Sequence, residues 1–161
     1  MSFRTPSLLA RAVGFLARRD HSSQELARKL GRHSTDAAEI EQVIARLQAQ
    51  GLLSEANFAN SLVRRRAPGK GTARVLQELR QHGVSAAALD EARETLASTE
   101  TERAREAWLK RFGQPAATPQ DRMRQMRFLA GRGFAHDVIR RVVPAAGRPD
   151  EGLDDSPPRE V

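Results

Sequence analysis

Hydrophobic side chains recur along most of the chain at spacings of three and four residues, the pattern of helices that bury one face. The first such stripe runs from Leu8 to Leu16, and others follow as far as Val143. No segment alternates hydrophobic and polar residues in the manner of a strand. The pattern therefore predicts an all-α protein.

Capping residues and helix-ending residues divide these stripes into short segments. The residues suited to opening helices are Ser22, Asp36, Ser54, Thr72, Ser85 and Thr118. Ser22 with Glu25 has the spacing of a capping box. The segments end at Gly51, Pro68-Gly69, Gly83, Gly113, Gly133 and Pro144. These boundaries predict about nine helices.

The helices repeat as triplets. The series Leu79, Gly83, Leu89 is echoed by Leu129, Gly133 and Ile139 at a shift of about 50 residues. Units of this size have small cores and lean on their neighbours, which favours an elongated curved array of three tandem three-helix units. The predicted organisation is an N-terminal tail (1–7), three units (8–53, 54–97 and 98–144) and a disordered acidic tail (145–161).

Charge favours a polyanionic partner such as DNA. The net charge is +7 and the pI about 11.2, yet residues 145–161 hold five carboxylates against two arginines, so residues 1–144 carry +10. There is no cysteine. The N-terminus is polar and arginines interrupt the apolar residues that follow it, so neither a signal peptide nor a membrane span is predicted. We therefore expect a cytoplasmic protein with no membrane partner.

Two groups of basic residues are the candidate binding sites. The first contains Arg64, Arg65, Arg66, Lys70, Arg74 and Arg80. The second contains Arg122, Arg124, Arg127, Arg132, Arg140 and Arg141. Such charge runs are often only solvated helix faces, but an arginine cluster beside a glycine loop is well suited to binding anions.

No catalytic or cofactor site is predicted. The segment 69–72 (GKGT) has no glycine five residues before Gly69 and no preceding strand, both of which a phosphate-binding loop requires. We therefore predict that it links two helices. The four histidines lack metal-ligand spacing and are expected to be solvated or capping. Carboxylates such as Glu91 and Glu94 alternate with arginines, as in solvated pairs. Trp108 lies at core spacing, and aromatics are too few for base stacking.

Several segments together resemble the RecX family of bacterial regulatory proteins. They are residues 11–22 (RAVGFLARRDHS), 51–55 (GLLSE), 69–84 (GKGTARVLQELRQHGV) and 127–134 (RFLAGRGF). The third is close to the family phrase G-x-x-R-I-x-x-E-L-x-x-K-G-I, although His82 stands where lysine is common. The resemblance covers almost all of residues 8–143 and does not extend to the acidic tail, whose role stays open.

The resemblance implies tandem three-helix units and a negative regulator of the recombinase RecA, without catalysis. Such a protein would lie in the groove of the RecA–DNA filament and depress ATP hydrolysis, strand exchange and co-protease activity. A monomer fits this role, with DNA contacted weakly or only within the filament. Two alternatives stay open: a regulator that binds DNA directly, and a structural adaptor without a nucleic-acid role.

Overall fold

The computed structural model of this protein describes residues 5–147, which form eight α-helices and no strand. The helices are α1 (Leu8–Leu16), α2 (Ser23–Leu30), α3 (Ala37–Ala49), α4 (Glu55–Arg66), α5 (Thr72–Gln81), α6 (Ala86–Arg111), α7 (Pro119–Gly131) and α8 (His136–Val142). The all-α prediction is confirmed. Most of the predicted acidic tail, residues 148–161, lies outside the described residues, as do residues 1–4.

The prediction of nine helices is wrong by one, because the expected sixth and seventh helices are continuous. Residues 97–103 contain neither glycine nor proline, so nothing ends the helix after Leu96. Its hydroxyls bond to carbonyls of the preceding turn, including Ser98 to Thr95 at 2.8 Å. The 26-residue α6 therefore serves two neighbouring units.

Three separate hydrophobic cores follow one another along the chain. The first lies among α1, α2 and α3, around Leu26, Leu30 and Leu47. The second joins α4, α5 and the first half of α6, around Phe58. The third joins the second half of α6 to α7 and α8, around Leu129. Separate cores in sequence order are the arrangement expected of an array. We call these groups unit 1, unit 2 and unit 3.

Side-chain caps open most of the helices as predicted. Ser22, Asp36, Ser54, Ser85 and Thr118 each accept a backbone N–H hydrogen bond at a helix start. The capping box is only half formed, because the carboxylate of Glu25 binds Arg19. Helices α5 and α8 have no cap from their own N-cap residues, Gly71 and Ala135.

Units 2 and 3 meet backbone to backbone. The N–H of Gly71 donates to the carbonyl of Arg132 at 2.9 Å. A Cβ on Gly71 would lie 2.0 Å from the carbonyl of Gly133, so glycine is required by this close approach. The two glycine-containing segments that stand about 60 residues apart in the sequence therefore form one joint.

Units 1 and 2 meet through side chains. Ser61 donates to the carboxylate of Asp20 at 2.6 Å, and the side chain of Gln24 lies against Gly83. No helix of unit 1 packs broadly on a helix of the other units within residues 5–147. The array thus has one close joint and one looser, polar joint.

Candidate nucleic-acid interface

The first predicted basic cluster surrounds the loop between α4 and α5. It holds Arg64, Arg65 and Arg66 at the end of α4, Lys70 in the loop, and Arg74 and Arg80 on α5. Arg64 and Arg65 are exposed and line a groove of about 300 Å³ at the joint with unit 1. The remaining residues of this groove are Arg19, Asp20 and Ser61.

Glu78 neutralises part of this cluster. Its carboxylate lies 2.7 Å from Nζ of Lys70 and 3.2 Å from Nε of Arg66. The hydrogen bond from Lys70 is the main reason that the pKa of Glu78 falls below its ordinary value, with Arg66 and Arg74 adding to the effect. Lys70 and Arg66 are therefore engaged within unit 2, whereas Arg74 and Arg80 point their exposed side chains outward from α5.

The second predicted cluster divides into different environments. Arg122 is half-buried and donates from Nε to the carbonyl of Pro144 at 2.8 Å, so it ties α7 to the end of α8. Arg124 and Arg127 are exposed on α7, with Arg124 only 3.7 Å from Asp121.

Arg132 faces unit 2. Its Nη1 donates to the carbonyl of Gly69 at 3.3 Å, and its guanidinium lies 4.6 Å from the centre of the Phe128 ring. The structure thereby brings one residue of the second cluster next to the loop of the first, across the joint between units 2 and 3.

Two basic residues that the sequence analysis missed join Arg132. Lys110 and Arg111, on the last turn of α6, line with it a cleft of about 450 Å³. The other residues of the cleft are Pro68, Gly69, Glu106, Ala107 and Phe128. We call it the basic cleft. The pair of cations before Phe112-Gly113 was visible in the sequence, but its position near Arg132 depends on how α6 packs against α7.

A buried polar network holds the same joint in place. Glu100, only 6% exposed, accepts from the backbone N–H of Thr72 at 3.3 Å and of Ala135 at 3.0 Å. It therefore caps α5 and α8, the two helices without caps of their own. Arg103, also buried, donates to the carbonyls of Lys70 and Leu96. Burial lowers the pKa of Arg103, and the negative charge of Glu100 partly offsets this by raising it. The prediction that the carboxylates on helix faces are solvated is wrong for Glu100.

The expectation of solvated or capping histidines is also wrong for His21, which is 2% exposed in unit 1. Lys29 Nζ lies 2.7 Å from its Nε2, so Nε2 accepts, and Nδ1 donates to the carbonyl of Arg19 at 2.9 Å. Burial is the main cause that lowers the pKa of His21. The bond from Arg19 lowers the pKa of the neighbouring Glu25.

The loop between α4 and α5 and the single tryptophan have the structural roles predicted for them. The segment Gly69-Lys70-Gly71 links two helices, as predicted, and Trp108 is buried with its Nε1 donating to Gln125 at 2.9 Å. Within residues 5–147, no three His, Cys, Asp or Glu side chains gather at metal-binding distance. None of the helices in that range has both the length and the apolar composition of a membrane span.

Comparison with known families matches nearly the whole described chain. Residues 9–47, 54–92 and 98–143 match the models of the first, second and third three-helix domains of RecX. A regulatory protein RecX from Leptothrix cholodnii is 51% identical over 140 residues, covering 87% of this chain and 89% of that protein. One from Ralstonia pickettii is 44% identical over 149 residues, covering 92% of each.

Solved structures share the fold. The crystal structure of RecX from Lactobacillus salivarius superposes with a TM-score of 0.71 at 19% identity, over 84% of this chain and 91% of that one. A second crystal structure, of a regulatory protein RecX, gives a TM-score of 0.69 at 24% identity, over 84% of this chain and 72% of that one.

Proposed function

This chain belongs to the RecX family of regulatory proteins, and on that premise we propose that it is a negative regulator of the recombinase RecA. It binds in the groove of the RecA–DNA filament and inhibits the ATPase, strand-exchange and co-protease activities. In this way it modulates DNA repair and recombination. It acts as a monomer in the cytoplasm, without a cofactor and without catalysing a reaction.

The observation that carries the proposal is the succession of three matched domains, each with its own core. Because the cores follow one another, the chain offers a long surface rather than a single deep pocket. A long surface can touch several neighbouring subunits of a filament at once, and such multivalent contact adds affinity without strong individual contacts.

Exposed arginines at both joints support a surface that binds polyanions. Arg64 and Arg65 stand at the joint of units 1 and 2, and Arg132 stands at the joint of units 2 and 3. The close second joint fixes the spacing between units 2 and 3, so their cations are presented in a set geometry. Inhibition then arises from occupying the groove, with no chemical step.

Recombinase ATPase on single-stranded DNA, measured with increasing substoichiometric amounts of this protein, tests the proposal. We expect the steady-state rate to fall well below the uninhibited rate before the two proteins are equimolar, because one bound molecule affects several subunits. An unchanged ATPase rate at excess protein, with the protein shown to be folded by circular dichroism, would contradict it.

Direct DNA binding is the second candidate, favoured by the exposed arginines and the +10 charge of residues 1–144. Phosphate contacts would dominate, so affinity for naked duplex would fall steeply with salt. Binding that requires the assembled filament supports the regulator, and equal binding to naked duplex supports the direct DNA binder. If the protein binds neither the filament nor naked duplex, the structural adaptor is the remaining candidate.

A further inference from the structure

The basic cleft between units 2 and 3 holds more positive than negative charge. Lys110, Arg111 and Arg132 line it against the single carboxylate of Glu106. Among residues 5–147, no carboxylate lies within salt-bridge distance of Lys110 or Arg111. The cleft is therefore suited to an anionic occupant.

One cation of the cleft, Arg132, is held in position by contacts within the protein. Arg132 is fixed by the carbonyl of Gly69 and by the face of Phe128. Arg124 lies one turn before Phe128 on α7, so the positive charge of the cleft continues along that helix towards its start. We call Lys110, Arg111, Arg132 and Arg124 together the positive strip. An extended acidic segment lying along α7 could therefore pair its carboxylates with several cations.

The C-terminal end of the described chain lies beside one end of this strip. The N–H of Gly147 donates to the carbonyl of Ala116 at 2.9 Å, in the loop that follows α6. Arg122 holds the preceding carbonyl of Pro144 at 2.8 Å. The end of the described chain therefore lies beside Ala116, which is five residues after Arg111 in the sequence.

The acidic residues that follow have the spacing to cover the cleft. Asp150, Glu151, Asp154 and Asp155 stand three to eight residues after Gly147. At about 3.5 Å per extended residue, they reach about 10 to 28 Å from it. Helix α7, with 13 residues, is about 20 Å long. The carboxylates can thus be distributed from the start of α7 to Arg132.

We propose that the acidic segment 150–155 of this chain docks into its own basic cleft and competes there with anionic polymers. Because the segment is tethered, its effective concentration at the cleft is of the order of millimolar, so even a weak individual affinity gives substantial occupancy. The proposal concerns an intramolecular contact, and it holds whether or not the chain regulates a recombinase.

Carbodiimide coupling of the full-length protein tests the contact, because it joins carboxylates to amines that touch. Lys110 is one of three lysines, with Lys29 and Lys70. We expect an intramolecular link between Lys110 and the segment 150–155, found by mass spectrometry in the monomer fraction. The pair Lys70–Glu78, at 2.7 Å, is a built-in positive control.

Variants that keep Lys110 make the test specific. Arg111→Gln with Arg132→Gln weakens the cleft, and the yield of the Lys110 link should fall severalfold, as it should at high salt. Arg18→Gln with Arg32→Gln removes two exposed cations from unit 1 and should leave the yield unchanged. If the Lys70–Glu78 link forms but the segment couples equally to all lysines, to none, or only between two molecules, the proposal is overturned.

The competition is tested with Asp150→Asn, Glu151→Gln, Asp154→Asn and Asp155→Asn combined in the full chain. Its affinity for a fluorescent single-stranded oligonucleotide should exceed that of the parent severalfold at low salt, and the two should converge at high salt. The gain should vanish when Arg111→Gln and Arg132→Gln are added. An equal affinity of parent and variant at low salt would refute competition, even where recombinase inhibition is intact.

Discussion

At the scale of residues, exposure separates the arginines that can meet a partner from those used inside the molecule. Arg64 and Arg65 are exposed beside a groove, whereas Arg66 shares Glu78 with Lys70, and Arg122 is bound to the end of unit 3. A charge count along the sequence treats all of them alike. The first two are therefore the sharper targets for mutation.

Replacing Arg64 and Arg65 by glutamine should weaken polyanion binding while leaving the fold intact. If each contacts one phosphate, the slope of log affinity against log salt on duplex DNA should become shallower by about 1.8. Exposed charges contribute little to stability, so the melting curve should be unchanged. Arg18→Gln with Arg32→Gln is the matched control. Identical salt slopes for both double variants would show that this groove is only a solvated face.

His21 should make stability depend on pH in the mildly acidic range. Its pKa in the folded protein is lowered from 6.5, so the unfolded chain takes up the proton first as the pH falls. The free energy of unfolding should therefore be level above about pH 6.5 and decline below it. Protonation of Nε2 would also place a positively charged ring 2.7 Å from the ammonium of Lys29, whose hydrogen bond it could no longer accept.

Urea titrations at several pH values measure this effect. The decline below about pH 6.5 should be flatter in His21→Gln, and His136→Gln, at an exposed position, is the matched control. A further loss at lower pH, below the ordinary Glu value of 4.5, should remain in both, because the pKa of Glu25 is lowered as well. Parallel curves for all three proteins would exclude His21 as the source.

At the scale of helices, α6 performs two tasks. Its two halves contribute to two cores, and its middle turn carries Glu100, which caps α5 and α8. A helix start without a cap leaves backbone N–H groups unpaired, and this costs more when the start is buried. One carboxylate thus stabilises the beginning of two helices from different units.

Glu100→Ala should destabilise the protein by about 2 kcal/mol, the sum of two lost caps of about 1 kcal/mol each. Chemical denaturation measures the change, and hydrogen exchange should show faster exchange of the Thr72 and Ala135 amides. Glu100→Gln keeps an acceptor oxygen and should cost less. Glu94→Ala, on the exposed face of the same helix, is the control. Equal stability of the two alanine variants would argue against the shared cap.

Gly71→Ala tests the contact between α5 and the segment before α8. The new methyl group would meet the backbone of Gly133, which cannot rotate away, and such overpacking costs about 1 to 3 kcal/mol. Gly14→Ala is the matched control, since nothing lies within 4 Å of its Cβ position and alanine favours helix. We expect a lower melting temperature for the first variant and an equal or higher one for the second.

At the scale of the whole molecule, the two joints differ in kind. Backbone contact, the shared cap and the side chain of Arg103 connect units 2 and 3. Units 1 and 2 are connected by polar side chains such as Ser61 and Asp20. Units 2 and 3 should therefore behave as one body to which unit 1 is more loosely attached.

Native-state hydrogen exchange should reveal this difference. We expect amides of α1, α2 and α3 to exchange through an opening of lower free energy than amides of α5, α6 and α8. Ser61→Ala should leave the second group unaffected. A single opening free energy shared by all core amides would mean that the three units unfold together, contrary to the unequal joints.

The sequence by itself determined the features that depend on near neighbours. Helix starts at Ser22, Ser54 and Ser85, and the stripes that fill each core, follow from contacts three and four residues apart. The glycine that takes a positive φ after α5, Gly83, is likewise a local signal. The identification of the family rested on phrases built from these local features.

Only the tertiary structure decided how distant segments meet. The continuity of α6, the burial of Glu100 and His21, and the meeting of Lys110 with Arg132 each involve residues whose partners are packed against them by the fold. A charged side chain has the same helical spacing whether it faces solvent or a neighbouring unit. Its environment is set by which surfaces pack together, because burial and pairing depend on contacts across the chain rather than along it.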